Sequence, residues 1–157
     1  MKIYTSYFYK IRFFKPNMIP ISTAKWDPRW FHQGYGKNYV WFDNNGVING
    51  LRAEPFAPDY RCDGLCSGSC EPKDPDNCLF LKQYFYQLKE LDFNNIMERL
   101  ENLANKVKAT TNFSEEPIIV LIVHEADDNV CSERGAIQKW FAENGVEVVE
   151  WDEKFGI

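Results

Sequence analysis

The sequence predicts a single α/β domain of three layers, built around a mostly parallel sheet. Three observations point there. Residues 117–123, Pro-Ile-Ile-Val-Leu-Ile-Val, form a continuous apolar, β-branched run, the mark of a strand covered on both faces of a parallel sheet. That run stands in the order helix, strand, loop, helix, strand, which is the order of a crossover-connected sheet. The 157 residues, 45% of them hydrophobic, suffice for one domain, 1–157, with its own core.

Each element follows from local pattern. Residues 2–14 (KIYTSYFYKIRFF) and 18–25 (MIPISTAK) are dense in aromatic and β-branched side chains and read as strands joined by a loop at Lys15-Pro16-Asn17. Residues 25–59 mix Trp, Tyr, Pro, Gly and Asn without a helical period. They read as an irregular aromatic segment, with a short hairpin at Asn45-Gly46. Cys78, Leu81, Tyr84, Phe85 and Leu88 recur at helical spacing, so a helix is expected over about 76–90, started by Asp74 or Asp76, with Cys78 in its first turn. Asp92 caps a second helix whose buried stripe is Ile96, Leu100, Leu103 and Val107. After the buried strand come the loop 124–129 (HEADDN), a helix over about 130–143 closed by Asn144-Gly145, and a last strand from Val146.

Charge and composition exclude some classes. A net charge of −5 gives no general basic field, so nucleic-acid binding would need a local patch such as the Lys2, Lys10, Arg12 and Lys15 edge. No run reaches the ~18 apolar residues of a membrane helix, and the opening residues carry no secretory cleavage pattern, so a cytoplasmic protein is expected. P-loop, G-x-G-x-x-G, H-E-x-x-H and G-x-S-x-G patterns are all missing.

Five cysteines without a secretory signal argue for metal binding or chemistry over a disulfide framework. Four of them, Cys62, Cys66, Cys70 and Cys78, lie in a Gly-, Ser- and Pro-rich segment that has little apolar content to order it. Thiolate-bound zinc or an iron–sulfur cluster would order it, making residues 60–80 a metal-binding insertion. The C-x3-C-x3-C-x7-C spacing departs from paired C-x2-C knuckles, and three ligands, a thiol relay or unliganded thiols also fit it.

Ligands of open α/β sheets collect beyond the carboxyl ends of the strands. Here that place holds His124, Glu125, Asp127 and Asp128, followed by Cys131, Ser132, Glu133 and Arg134. Glu125 suits a general base or nucleophile, and equally a cap for the next helix. Cys131, expected in the first helical turn, and Arg134 suit an anion pocket with Ser132 adding a hydroxyl; a buried cysteine and an internally paired arginine are the plain alternative. Thr5, Ser6 and Ser22 end the early strands and can donate to the same pocket, and Trp26 can stack on a flat ligand such as a base.

These residues together resemble the domain-of-unknown-function-488 family. The likeness rests on IYTSYFYKIRF with MIPIS, on CDGLC joined to CLFLKQYFYQL, and on VHEADDNVCSERGAIQKWFAENGVEV, and it spans nearly the whole chain. This chain has Cys131-Ser132-Glu133-Arg134 where many members carry Cys-His-Arg. The resemblance implies a Rossmann-like domain, a shared site at Glu125, Cys131 and Arg134, and a family role for Cys62, Cys66 and Cys78; it implies no particular reaction. Two functions follow as expectations. One is an enzyme acting on a nucleotide, nucleoside or nucleic-acid base, with Glu125 as base or nucleophile and Arg134 on a phosphate. The other is a non-catalytic metal-binding or regulatory module.

Overall fold

The computed structural model describes residues 1–33, 39–66 and 73–155. Its strands are β1 (Lys2–Tyr7), β2 (Met18–Ser22), β3 (Trp41–Phe42), β4 (Ile48–Asn49), β5 (Leu51–Arg52), β6 (Ile118–Val123) and β7 (Val149–Glu150). Its α-helices are α1 (Leu79–Lys89), α2 (Phe93–Thr111) and α3 (Glu133–Glu143). Strands β5, β2, β6, β1 and β7, in that order, form one parallel sheet, as the apolar run predicted. The result is a Rossmann-like α/β domain.

Every residue of β6 is buried, and its alternation feeds two cores. Ile119, Leu121 and Val123 join Leu88, Ile96, Leu100, Trp140 and Phe141 under the three α-helices. Ile118, Val120 and Ile122 meet Phe8, Ile11, Phe14, Met18, Phe31 and Trp151 on the other face. Among the described residues that second outer layer contains no α-helix; it consists of 3-10 turns and the β3–β4 hairpin. The hairpin turns at Gly46 (φ +79°), and the Asp43 carboxylate accepts from the Asn45 and Val47 backbone N–H groups.

Several boundaries move, for identifiable reasons. The aromatic run stops being a strand at Tyr7 and becomes a 3-10 helix, Phe8–Phe13, because its large residues Phe8, Ile11 and Phe14 repeat every three positions and bury one face. Helix α1 begins at Leu79, after a 3-10 turn at Pro75–Asn77, so Cys78 is its N-cap residue and not in its first turn. Asp92 caps α2 as expected, accepting from Asn95 N–H at 3.1 Å, while Ala104 replaces Leu103 in the fully buried stripe. Helix α3 starts at Glu133, three residues later than expected, because Ser132 is its cap and accepts from Arg134 N–H at 3.2 Å. The last strand is reduced to Val149–Glu150.

The connections set the place of the site. Chain leaving β1 crosses one face of the sheet through the 3-10 helix, and chain leaving β6 crosses the other face through α3. Neighbouring strands whose connections depart to opposite faces leave a crevice at their carboxyl ends. Tyr7 ends β1 there, and His124 and Glu125 follow β6.

Candidate functional site

Arg134, in the first turn of α3, points inward and is buried. Its Nε and Nη2 donate to the two Glu150 carboxylate oxygens at 2.9 and 3.3 Å. Nη2 also donates to the Glu125 carbonyl at 2.6 Å, and Nη1 to the Ala126 carbonyl at 2.8 Å. Four of the five guanidinium N–H groups are thereby used, and the sequence expectation of a phosphate ligand gives way to an internal strut. The strut extends further: Gln138 Nε2 donates to Thr5 Oγ1 at 2.8 Å, and Thr5 Oγ1 donates to Glu150 at 2.8 Å. β1, β7, α3 and the loop after β6 are tied by one polar network.

That network fixes the backbone of Glu125, whose side chain turns to the start of α3. Ser132 Oγ donates to Glu125 Oε1 at 2.9 Å, and the carboxyls of Glu125 and Glu133 are hydrogen-bonded to each other. Burial first, and then the adjoining Glu125 charge and hydrogen bond, push the Glu133 carboxyl up to about 8. The Glu133 carboxyl therefore holds its proton more tightly than a free glutamate, next to the Glu125 side chain.

The sign of this shift has a stability consequence. A carboxyl whose folded pKa is raised stabilises the fold fully only below its unfolded pKa of roughly 4, and loses that contribution as pH rises toward about 8. Glu133→Gln keeps the size and a donor toward Glu125 but removes the titration. Thermal melts at a series of pH values are expected to show the wild type losing stability over this window and the variant holding level, with a gap of about 2 kcal/mol at the alkaline end. Parallel curves would show that Glu133 ionises as freely as an exposed glutamate.

A second polar cluster, which the sequence did not disclose, lies at the carboxyl end of β2. The Asp27 side chain is 4% exposed and accepts from Ser22 Oγ, from Arg52 Nη1 at 2.6 Å and from His32 Nε2 at 2.5 Å. Arg52 Nη2 donates to the Ala24 carbonyl at 2.7 Å. Burial alone would raise the Asp27 carboxyl; the hydrogen bonds from Ser22, Arg52 and His32 outweigh it and hold the group below the ordinary carboxylate range. His124 Nε2 meets the Trp26 carbonyl, so both histidines of the chain hold adjacent residues of one loop.

Of the expected site residues, Glu125, Ser132, Arg134 and Thr5 thus come together, whereas Ser22 and Trp26 belong to the second cluster. Ser6 is fully buried and its hydroxyl has no hydrogen-bond partner among the described residues. Trp26 is 67% exposed. Cys131 lies before the cap of α3, not inside the helix, and its backbone N–H donates to Asn129 Oδ1 at 3.0 Å. Glu150 and Gln138 were missed; Gln138 was legible as the residue one turn after Arg134 on α3.

Among the cysteines, Cys62 is buried, Cys66 is exposed and Cys78 is half-buried; Cys70 lies outside the described residues. Burial, then the Asp59 charge, pushes the Cys62 thiol up. Among the described residues no group of three or more His, Cys, Asp or Glu side chains is placed to hold a metal ion. No helix there is long and apolar enough to cross a membrane.

Comparison with protein-family models, curated proteins and solved structures finds no match to this chain.

Proposed function

We propose that this chain is an enzyme acting on a nucleotide, nucleoside or nucleic-acid base, with the Glu125–Glu133 pair as its proton-transfer group. What supports this reading is the place of Glu125, just past the carboxyl end of β6 where α/β sheets bind ligands, with its side chain against Ser132 and beside the Glu133 carboxyl, which burial and Glu125 push up. Glu125, on the strand end, is assigned the contact with substrate, and Glu133 behind it supplies and recovers the proton. Ser132 orients Glu125, and Arg134 is a positioning residue that holds the Glu125 and Ala126 carbonyls. The half-exposed ring of Trp30 and the largely exposed ring of Trp26 stand on the loop that His124 and His32 hold, and they offer flat faces to a base.

The test is a thermal-shift and turnover screen over nucleobases, nucleosides and nucleotides. A ligand that raises the melting temperature and is turned over is expected, with Glu125→Gln still binding it but losing at least about a hundredfold in kcat. If no member of the panel raises the melting temperature, or if Glu125→Gln turns substrate over unchanged, the reading fails.

A metal held by Cys62, Cys66, Cys70 and Cys78, zinc or an iron–sulfur cluster, belongs to the same proposal and is supported by the clustering of these thiols in sequence. None of the proton transfers above passes through it. Metal analysis with an absorption spectrum, on protein purified without oxygen, is expected to give about one zinc per chain without colour, or iron with a broad band near ~400 nm. Metal-free protein would return the segment to free thiols.

A further inference from the structure

The 3-10 helix Phe8–Phe13 has a three-residue period that sorts its side chains into rows. Phe8, Ile11 and Phe14 face the core and are 2 to 6% exposed. The other two rows are Tyr9 and Arg12, and Lys10 and Phe13, so each pairs a ring with a cation, and Lys15 follows just past the helix. Tyr9 and Phe13 are 52% and 47% exposed, with ring centroids 6.0 Å apart. The Arg12 guanidinium lies 3.9 Å from the Tyr9 centroid, and Lys10 stands between Tyr7 and Phe13 at 6.0 and 5.8 Å. One carboxylate, Glu153, pairs with Lys10.

These rings fill no core, because the inward row already does. In a chain of net charge −5, the strip concentrates three cations around exposed aromatic faces. Rings that accept stacked bases, interleaved with cations that meet phosphates, suit an unpaired nucleic-acid strand; a duplex hides its base faces. The strip also leads to the crevice: Tyr7 at the end of β1 stacks with Tyr9 at 6.5 Å and lies 5.8 Å from the Arg134 guanidinium.

We infer that the strip of exposed Tyr9, Arg12, Phe13 and Lys15, with half-buried Lys10 beside them, binds single-stranded nucleic acid and delivers one of its nucleotides to the strand end that holds Glu125. Delivery rests on the proton-transfer reading of Glu125; binding does not. The strip gives affinity without sequence preference, since every base has a stacking face.

Fluorescence anisotropy with a labelled oligothymidylate of about 12 nucleotides at low salt tests the binding. Wild-type protein is expected to bind, with a log–log salt slope of about −2 for three cations on a single strand. Tyr9→Ser with Phe13→Ser should weaken binding by about tenfold or more, and Arg12→Gln with Lys15→Gln should flatten the salt slope. Both pairs are solvent-facing, and unchanged thermal melts confirm that they fold. No binding by wild type, equal binding by both double variants, equal binding of duplex, or co-sedimentation with anionic vesicles in place of oligonucleotide would each overturn the inference. Oligonucleotide binding that needs the strip, with no turnover of any bound strand, would leave this inference standing and sink the enzymatic one.

Discussion

Arg134→Met is expected to lower the stability of the domain by about 3–5 kcal/mol, roughly 10 °C in melting temperature, measured by urea and thermal unfolding. The side chain is buried, and removing it leaves the Glu150 carboxylate with Thr5 as its remaining donor. The Glu125 carbonyl loses the Arg134 donor in the same step, and the Ala126 carbonyl keeps only the Asn129 N–H among the described residues. Unpaired buried charge costs more than the pair contributes, so Arg134→Met with Glu150→Leu should recover much of the loss. Arg134→Lys should recover little, because an ammonium cannot span the two carboxylate oxygens and two carbonyls at once. A wild-type melting temperature in Arg134→Met would mean that the network is not formed in solution.

Asp27→Asn is expected to cost about 3 kcal/mol at neutral pH, because among the described residues it leaves the buried Arg52 guanidinium with the solvent-facing Glu54 as its one counter-charge. Its pH dependence distinguishes it from an ordinary core defect. The Asp27 carboxyl is held below its usual range, so its contribution is full above the unfolded carboxylate pKa and is lost as pH falls through the lower folded value. The gap between wild type and Asp27→Asn should therefore be widest near neutrality and shrink in acid. A gap that stays constant from neutral to acid pH would show that Asp27 contributes shape and not charge.

Acid and alkaline limbs thus report on different ends of the sheet. Asp27, with its depressed pKa, governs the acid side at the β2 end, whereas Glu133, with its raised one, governs the neutral-to-alkaline side at the β6 end. Both clusters sit on strand ends, where backbone polar groups run out of ladder partners and side chains satisfy them.

Local pattern made much of the fold legible. The span of β6, the Asp92 cap, the Gly46 turn and the glycine ending α3 are each decided by a few adjacent residues, and each stands where the pattern put it. The start of α3 was less legible, since Asp127, Asp128, Asn129 and Ser132 are all competent caps and only the Ser132 side chain lies where Arg134 N–H can reach it. The aromatic run at 2–14 hid a change of period from two to three, because Tyr and Phe suit a strand and a 3-10 turn alike.

The site divides the same way. Glu125, Ser132 and Arg134 could be named because they follow a recognisable buried strand. Their roles could not, because Glu150 and Thr5 approach from strands 16 and 129 residues away from Arg134 and 120 from Glu125 respectively in no periodic relation to them. Asp27, His32 and Arg52 lie in a segment without periodicity, so nothing local marks three polar side chains as buried. The sequence by itself determined a parallel α/β domain, its buried central strand and the polar residues that follow that strand. Only the tertiary structure decided which charges face each other there, because the energy of a buried charge is set by partners that the fold brings across the sheet, and no spacing along the chain encodes that distance.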